Sequence, residues 1–170
     1  MERSTTNSSA SSAGFFSRPR TPEDKFGIKI SPRSRTLEQN YSLLAGTVYV
    51  LGGIVGFVIT GFGSFSEMTN HELLGVFTLN PFHNIVHIGL GAFWLLAAFA
   101  LTPAGAEGVN IAIGGTYALA TALGILGYFS LLSIPGGMAV GDNWLHLVTA
   151  VVTLIFGSGV LSAGRHAATA

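Results

Sequence analysis

At 170 residues, with 49% hydrophobic residues, only 9% charged residues and a mean hydropathy of +0.56, the chain departs from soluble proteins, in which about a quarter of residues are charged. Its net charge of zero hides a segregation, because seven of the eight Lys/Arg and four of the eight Asp/Glu fall within the first 40 residues. The absence of cysteine excludes disulfides, thiolate metal sites and a cysteine nucleophile, and leaves the redox compartment unmarked.

Residues 1–38 are rich in Ser, Thr, Pro and Arg, lack sustained periodicity, and cannot bury enough apolar surface to offset the entropy of ordering. They read as a disordered basic tail. The apolar stretch around Phe15-Phe16 is too short for the core of a secretory signal, so the tail is expected to be retained. Four apolar runs follow at about 41–62, 81–102, 109–132 and 143–163. Each is near the roughly 20 residues a helix needs to cross a hydrocarbon core. The first connection carries a polar patch from Glu67 to Glu72 and then Leu73-Leu74-Gly75-Val76-Phe77, which reads as a short interfacial helix. The second, Thr102 to Glu107, reads as a short turn, and Ile134-Pro135-Gly136-Gly137 with Gly141-Asp142-Asn143 joins the last two runs. Continuous rather than alternating apolar runs disfavour a transmembrane β-barrel.

The fold class that follows is all-α: an integral membrane four-helix bundle at 39–164, flanked by the tail and by residues 165–170. With four spans, the basic tail, the second connection and Arg165-His166 share one side, whereas the other connections hold Glu67, Glu72 and Asp142 without Lys or Arg. By the positive-inside rule both termini are cytoplasmic, in a bacterial cytoplasmic membrane or an equivalent internal membrane.

The second run opens on Asn80-Pro81-Phe82-His83-Asn84-Ile85-Val86-His87. Asn80 stands where an N-cap belongs and Pro81 at the first helical position, where its missing N–H costs nothing. Residues three and four apart share a helix face, so Asn80, His83, Asn84 and His87 form one polar stripe. The fourth run opens similarly, with Asn143-Trp144-Leu145-His146 matching Asn84-Ile85-Val86-His87. Weaker matches pair Gly46-Thr47 with Gly115-Thr116, Gly56-Phe57 with Gly127-Tyr128, and Tyr49 with Tyr117. A duplicated two-helix hairpin accounts for this, its halves related by an axis along the membrane normal. Both His-bearing helices then enter from the same side, and His83, His87, Asp142, Asn143 and His146 lie at similar depth. Small residues such as the Gly52/Gly56 pair are expected to serve close helix packing.

The residues Gly75-Val76-Phe77, Asn80-Pro81-x-His83-Asn84-x-x-His87 and Gly91, with Asp142-x-x-x-His146, resemble a family of small four-span bacterial membrane proteins catalogued as a domain of unknown function. The resemblance would cover about residues 40 to 163. It implies fold and topology and brings no activity, substrate or cofactor.

Three functional readings stay open. The leading one is a non-catalytic structural or accessory protein of a larger membrane complex or homo-oligomer. In it Asn80, Asn84 and Asn143 form a structural polar cluster with the His residues, and Phe93, Trp94 and Phe99 contact lipid or a partner. The first alternative is a His-ligated cofactor. His83, His87 and His146, with Asp142 as a further ligand, can hold a transition metal, or His87 and His146 can clamp a haem or pigment. The second alternative is a proton or ion conduit, weakened because no ionisable residue is found below the His layer. No catalytic residue is assigned: the His-x-x-x-His spacing lacks the Glu of the metalloprotease motif. There is also no phosphate-binding Gly loop and no surface suited to nucleic acid.

Overall fold

The computed structural model describes residues 28, 35–63, 65, 71–129 and 136–161. The expected disordered tail, apart from a few residues, and the C-terminal segment with Arg165 lie outside the described residues. Four helices follow one another, α1 (Leu37–Thr60), α2 (Pro81–Ala100), α3 (Pro103–Ile125) and α4 (Gly141–Gly157), with a two-stranded antiparallel hairpin, β1 (His71–Leu73) and β2 (Phe77–Leu79), between α1 and α2. Three of them, α1, α2 and α3, are long and apolar enough to cross a membrane. The 17-residue α4 spans about 25 Å at 1.5 Å per residue.

Helix starts are set by caps. α1 begins at Leu37, ahead of the hydropathy-based start, because Thr36 and Gln39 form a reciprocal capping box that satisfies two otherwise orphaned N–H groups. Asn80 caps α2 as expected, its Oδ1 accepting from His83 N–H at 2.7 Å with Pro81 in the first turn. The turn expected at Thr102–Glu107 is instead the start of α3: Thr102 accepts from Gly105 N–H at 3.2 Å and Pro103 opens the helix, the same physics as Asn80-Pro81. Only Leu101 and Thr102 separate α2 from α3, which forces the two helices antiparallel.

The interfacial helix expected at 73–77 is a hairpin. Leu74 and Gly75 both take positive φ (58° and 66°), as a turn matching the strand twist requires, and Val76 N–H closes it onto Leu73 O at 3.3 Å. A helix cannot run through two such residues.

The helices run up, down, up and down, with α1 packed chiefly on α2 and α3 on α4. In both pairs glycine sets the closeness. A Cβ at Gly56 would overlap the Asn84 amide, and one at Gly124 the Asn143 amide; likewise Gly46 faces Leu95 as Gly114 faces Leu154. The structural equivalents in α1 and α3 are therefore Gly46, Tyr49 and Gly56 with Gly114, Tyr117 and Gly124. Gly115 and Gly127, paired by sequence alone, face open space, and so does Gly52, whose expected packing role falls to Gly53 and Gly56. The core holds Ala45, Trp94, Ile113, Tyr117 and Ala150. Trp94, expected to contact lipid or a partner, is fully buried and donates its indole N–H to Asn110 Oδ1 at 3.0 Å; that oxygen also accepts from Ser42 Oγ at 3.1 Å. A buried indole N–H needs such a partner, which turns this face of α2 inward, while Phe93 and Phe99 stay exposed.

Candidate functional site

At the end of the bundle where α2 and α4 begin, the first turns of both helices meet the hairpin. His83 and His87 come from α2 and His146 from α4, and one ring nitrogen of each lies within 4.8 Å of the other two. The His83 and His87 rings stand 4.3 Å apart, centre to centre, and those of His83 and His146 stand 6.0 Å apart. Tyr49 of α1 packs against His87 at 5.0 Å, and Tyr117 of α3 against His146 at 5.2 Å. Every helix of the bundle thus contributes an aromatic ring to this layer.

The polar stripe divides by what its members touch. Asn80 caps α2. Asn84 Nδ2 donates to Thr60 Oγ1 at 2.9 Å, tying α2 to the end of α1, and Asn143 Nδ2 donates to Gly137 O at 2.8 Å, tying α4 to the turn before it. Asp142, expected among the ligands, is buried but points at the hairpin, where Thr78 N–H donates to its Oδ2 at 2.9 Å. It stands outside the group of three His.

His83 is oriented by the hairpin. The same Thr78 that binds Asp142 presents its carbonyl to His83 Nδ1 at 3.0 Å. A carbonyl only accepts, so Nδ1 carries the proton and Nε2 keeps its lone pair. That Nε2 is buried without a hydrogen-bond partner among the described residues, as are His146 Nδ1 and the side-chain oxygens of Asn84 and Asn143. Buried polar atoms are normally paired, and an imidazole whose other nitrogen donates to a backbone carbonyl is the usual orientation of a metal ligand.

Beside the triad lies a cleft of about 240 Å³, walled by Phe82, Val86 and Leu90 of α2, by Tyr117, Leu119 and Leu123 of α3, and closed by Phe129 and the three His. Its surface is almost wholly apolar. It opens sideways between α2 and α3, where Leu119 is 60% exposed.

Two contributors were not singled out from the sequence. Thr78 acts through its peptide group, which leaves no mark in residue type. Glu38, assigned to the tail, is buried in the first turn of α1 at the opposite end of the bundle, and neither carboxylate oxygen has a hydrogen-bond partner among the described residues.

No curated protein and no solved structure matches the chain. Residues 39–159, covering all four helices, match the model of a domain of unknown function, DUF4383, and the chain belongs to that family.

Proposed function

We propose that this is a four-span protein, with both termini on the cytoplasmic side of a bacterial or equivalent internal membrane, that binds one transition-metal ion on His83, His87 and His146. The observation that carries the reading is the convergence of three imidazole nitrogens from two helices within 4.8 Å. At Zn–N distances of about 2.0–2.1 Å, tetrahedral nitrogens stand about 3.3 Å apart, so the triad closes on an ion by drawing together about 1.5 Å or less. Neutral imidazoles suit Zn, Cu, Ni and Fe, and three of them leave a fourth position for water or another ligand. A purely structural role accounts for the Asn80 cap, the Asn84 and Asn143 Nδ2 bonds and Asp142; it leaves His83 Nε2 and His146 Nδ1 without a partner among the described residues, as it does Asn84 Oδ1 and Asn143 Oδ1. A haem or pigment is less well served, because the cleft of about 240 Å³ is smaller than the roughly 300–1,000 Å³ of pockets that enclose drug-sized ligands.

The test is metal analysis with an absorption spectrum on gently solubilised wild type and on a His83→Ala/His87→Ala/His146→Ala variant. About one equivalent of metal in the wild type, lost in the variant, is expected. Equal metal content in the two proteins refutes the site, and a porphyrin-like band would replace the bare metal with a macrocycle.

The conduit reading gains one specific support in the burial of Glu38 at the far end of the bundle. Between the ends, Tyr49 pairs with Thr149 and Tyr41 with Thr153 across α1 and α4. Proton flux into liposomes that is unchanged by Glu38→Gln refutes it.

A further inference from the structure

A divalent ion held by three neutral imidazoles carries its full double charge into an apolar bundle. Buried charge without compensation costs several kcal/mol; among the described residues the acid at this level, Asp142, is bound to Thr78 N–H outside the group of three His, close enough for its charge to act on His83, and supplies at most one negative charge. An anion in the fourth position cancels the positive charge that remains. The route by which it arrives is the apolar cleft, whose mouth between α2 and α3 faces the side of the bundle and is edged by exposed Leu119 and Val86. A small hydrophilic anion gains nothing from such walls, whereas an alkyl chain does, at about 25 cal/mol per Å² of apolar surface removed from water. At the inner end, Tyr117 packs its ring against that of His146 and closes the cleft.

We propose that the cleft binds a long-chain carboxylate, its head group on the metal and its alkyl chain leaving between α2 and α3 toward the lipid. This rests on the metal reading above, and its test separates the two. Metal-loaded protein in nanodiscs is titrated with radiolabelled palmitate and, in parallel, with radiolabelled hexadecanol, while metal content is measured on the same samples. One palmitate per chain is expected, with hexadecanol at least tenfold weaker. Leu119→Trp, which fills the mouth without touching a His, is expected to weaken palmitate at least tenfold and leave metal content unchanged. Equal binding of the alcohol, or palmitate affinity untouched by Leu119→Trp, overturns the proposal and leaves the metal site standing. Palmitate bound equally by metal-free protein overturns it as well, since the charge argument then fails.

Discussion

Replacing Gly56 or Gly124 by Ala tests the closeness of helix packing on which the His layer depends. Each added methyl meets an Asn amide on the facing helix, Asn84 or Asn143, and each of those Asn lies one turn before a triad histidine. Overpacking costs about 1–3 kcal/mol, and displacing the amide from Thr60 or Gly137 forfeits a polar contact worth about 0.6–2 kcal/mol in a membrane bundle. The intrinsic preference of Ala over Gly in a helix returns about 0.8–1 kcal/mol. The net is a destabilisation of about 1–4 kcal/mol at either position. Gly52→Ala and Gly115→Ala, where the new methyl enters open space, keep only the favourable term and serve as controls. Unfolding of micelle-embedded protein by denaturant, followed by tryptophan fluorescence, gives the ranking, and metal content measured alongside should fall for Gly56→Ala and Gly124→Ala because ligand positions matter to about 0.2 Å. If all four variants resist unfolding equally, the helices do not approach as described and the constraint on the His layer is wrong.

Asp142→Ala leaves the buried Thr78 N–H unpaired, at about 1–3 kcal/mol, and by loosening the peptide that orients His83 lowers metal affinity about 10–100-fold; Asp142→Asn, which can still accept that N–H, should restore most of both, as competition with a chromogenic chelator would report. Trp94→Phe and Ser42→Ala each remove one donor to Asn110 Oδ1. Each should destabilise by about 0.6–2 kcal/mol, and the double variant by more than the sum because it leaves the buried acceptor with neither donor; additive losses in denaturant titration would show that the network is not shared. Gly75→Val at φ 66° should cost about 1–2 kcal/mol and weaken metal binding through the hairpin, whereas Gly63→Ala, in open space, should change neither.

The helical architecture was legible because hydropathy and capping chemistry speak locally. Asn80-Pro81 announced α2, and Thr102-Pro103 carried the same signal for α3 but was read as a turn, because Gly105, Glu107 and Gly108 dilute the hydropathy just behind it. Which face of a helix turns inward was less legible. In a membrane sequence both faces are apolar, and the burial of Trp94 depends on Asn110, a partner on the next helix that periodicity does not reveal. The hairpin was missed because its two strands are three residues each, too short for alternation to register, and because its turn places a leucine at positive φ. The triad itself was readable from spacing alone: His83 and His87 share a face by one helical turn, and His146 follows once α2 and α4 start at the same end. What spacing does not reveal is that Asn84 donates to Thr60, Asn143 to Gly137 and that Asp142 accepts from Thr78, whereas the three imidazoles bring one nitrogen each to a common point.

The near-repeat sharpens this separation. Aligning Asn84 and His87 with Asn143 and His146 places His83 opposite Asp142, so the two halves differ at the one position that breaks the equivalence. Both residues engage the same peptide group, His83 donating to Thr78 O and Asp142 accepting from Thr78 N–H, and the hairpin that supplies Thr78 lies between α1 and α2, with no described counterpart between α3 and α4. A strictly symmetric pair of hairpins would present two imidazoles, His87 and His146, across the bundle axis. With His at one of the divergent positions and Asp at the other, a third imidazole joins from the α2 side while the α4 side supplies the acid that steadies it through Thr78. In the proposed site His87 and His146 are then inequivalent, because His87 shares its helix with His83 while His146 stands alone on α4.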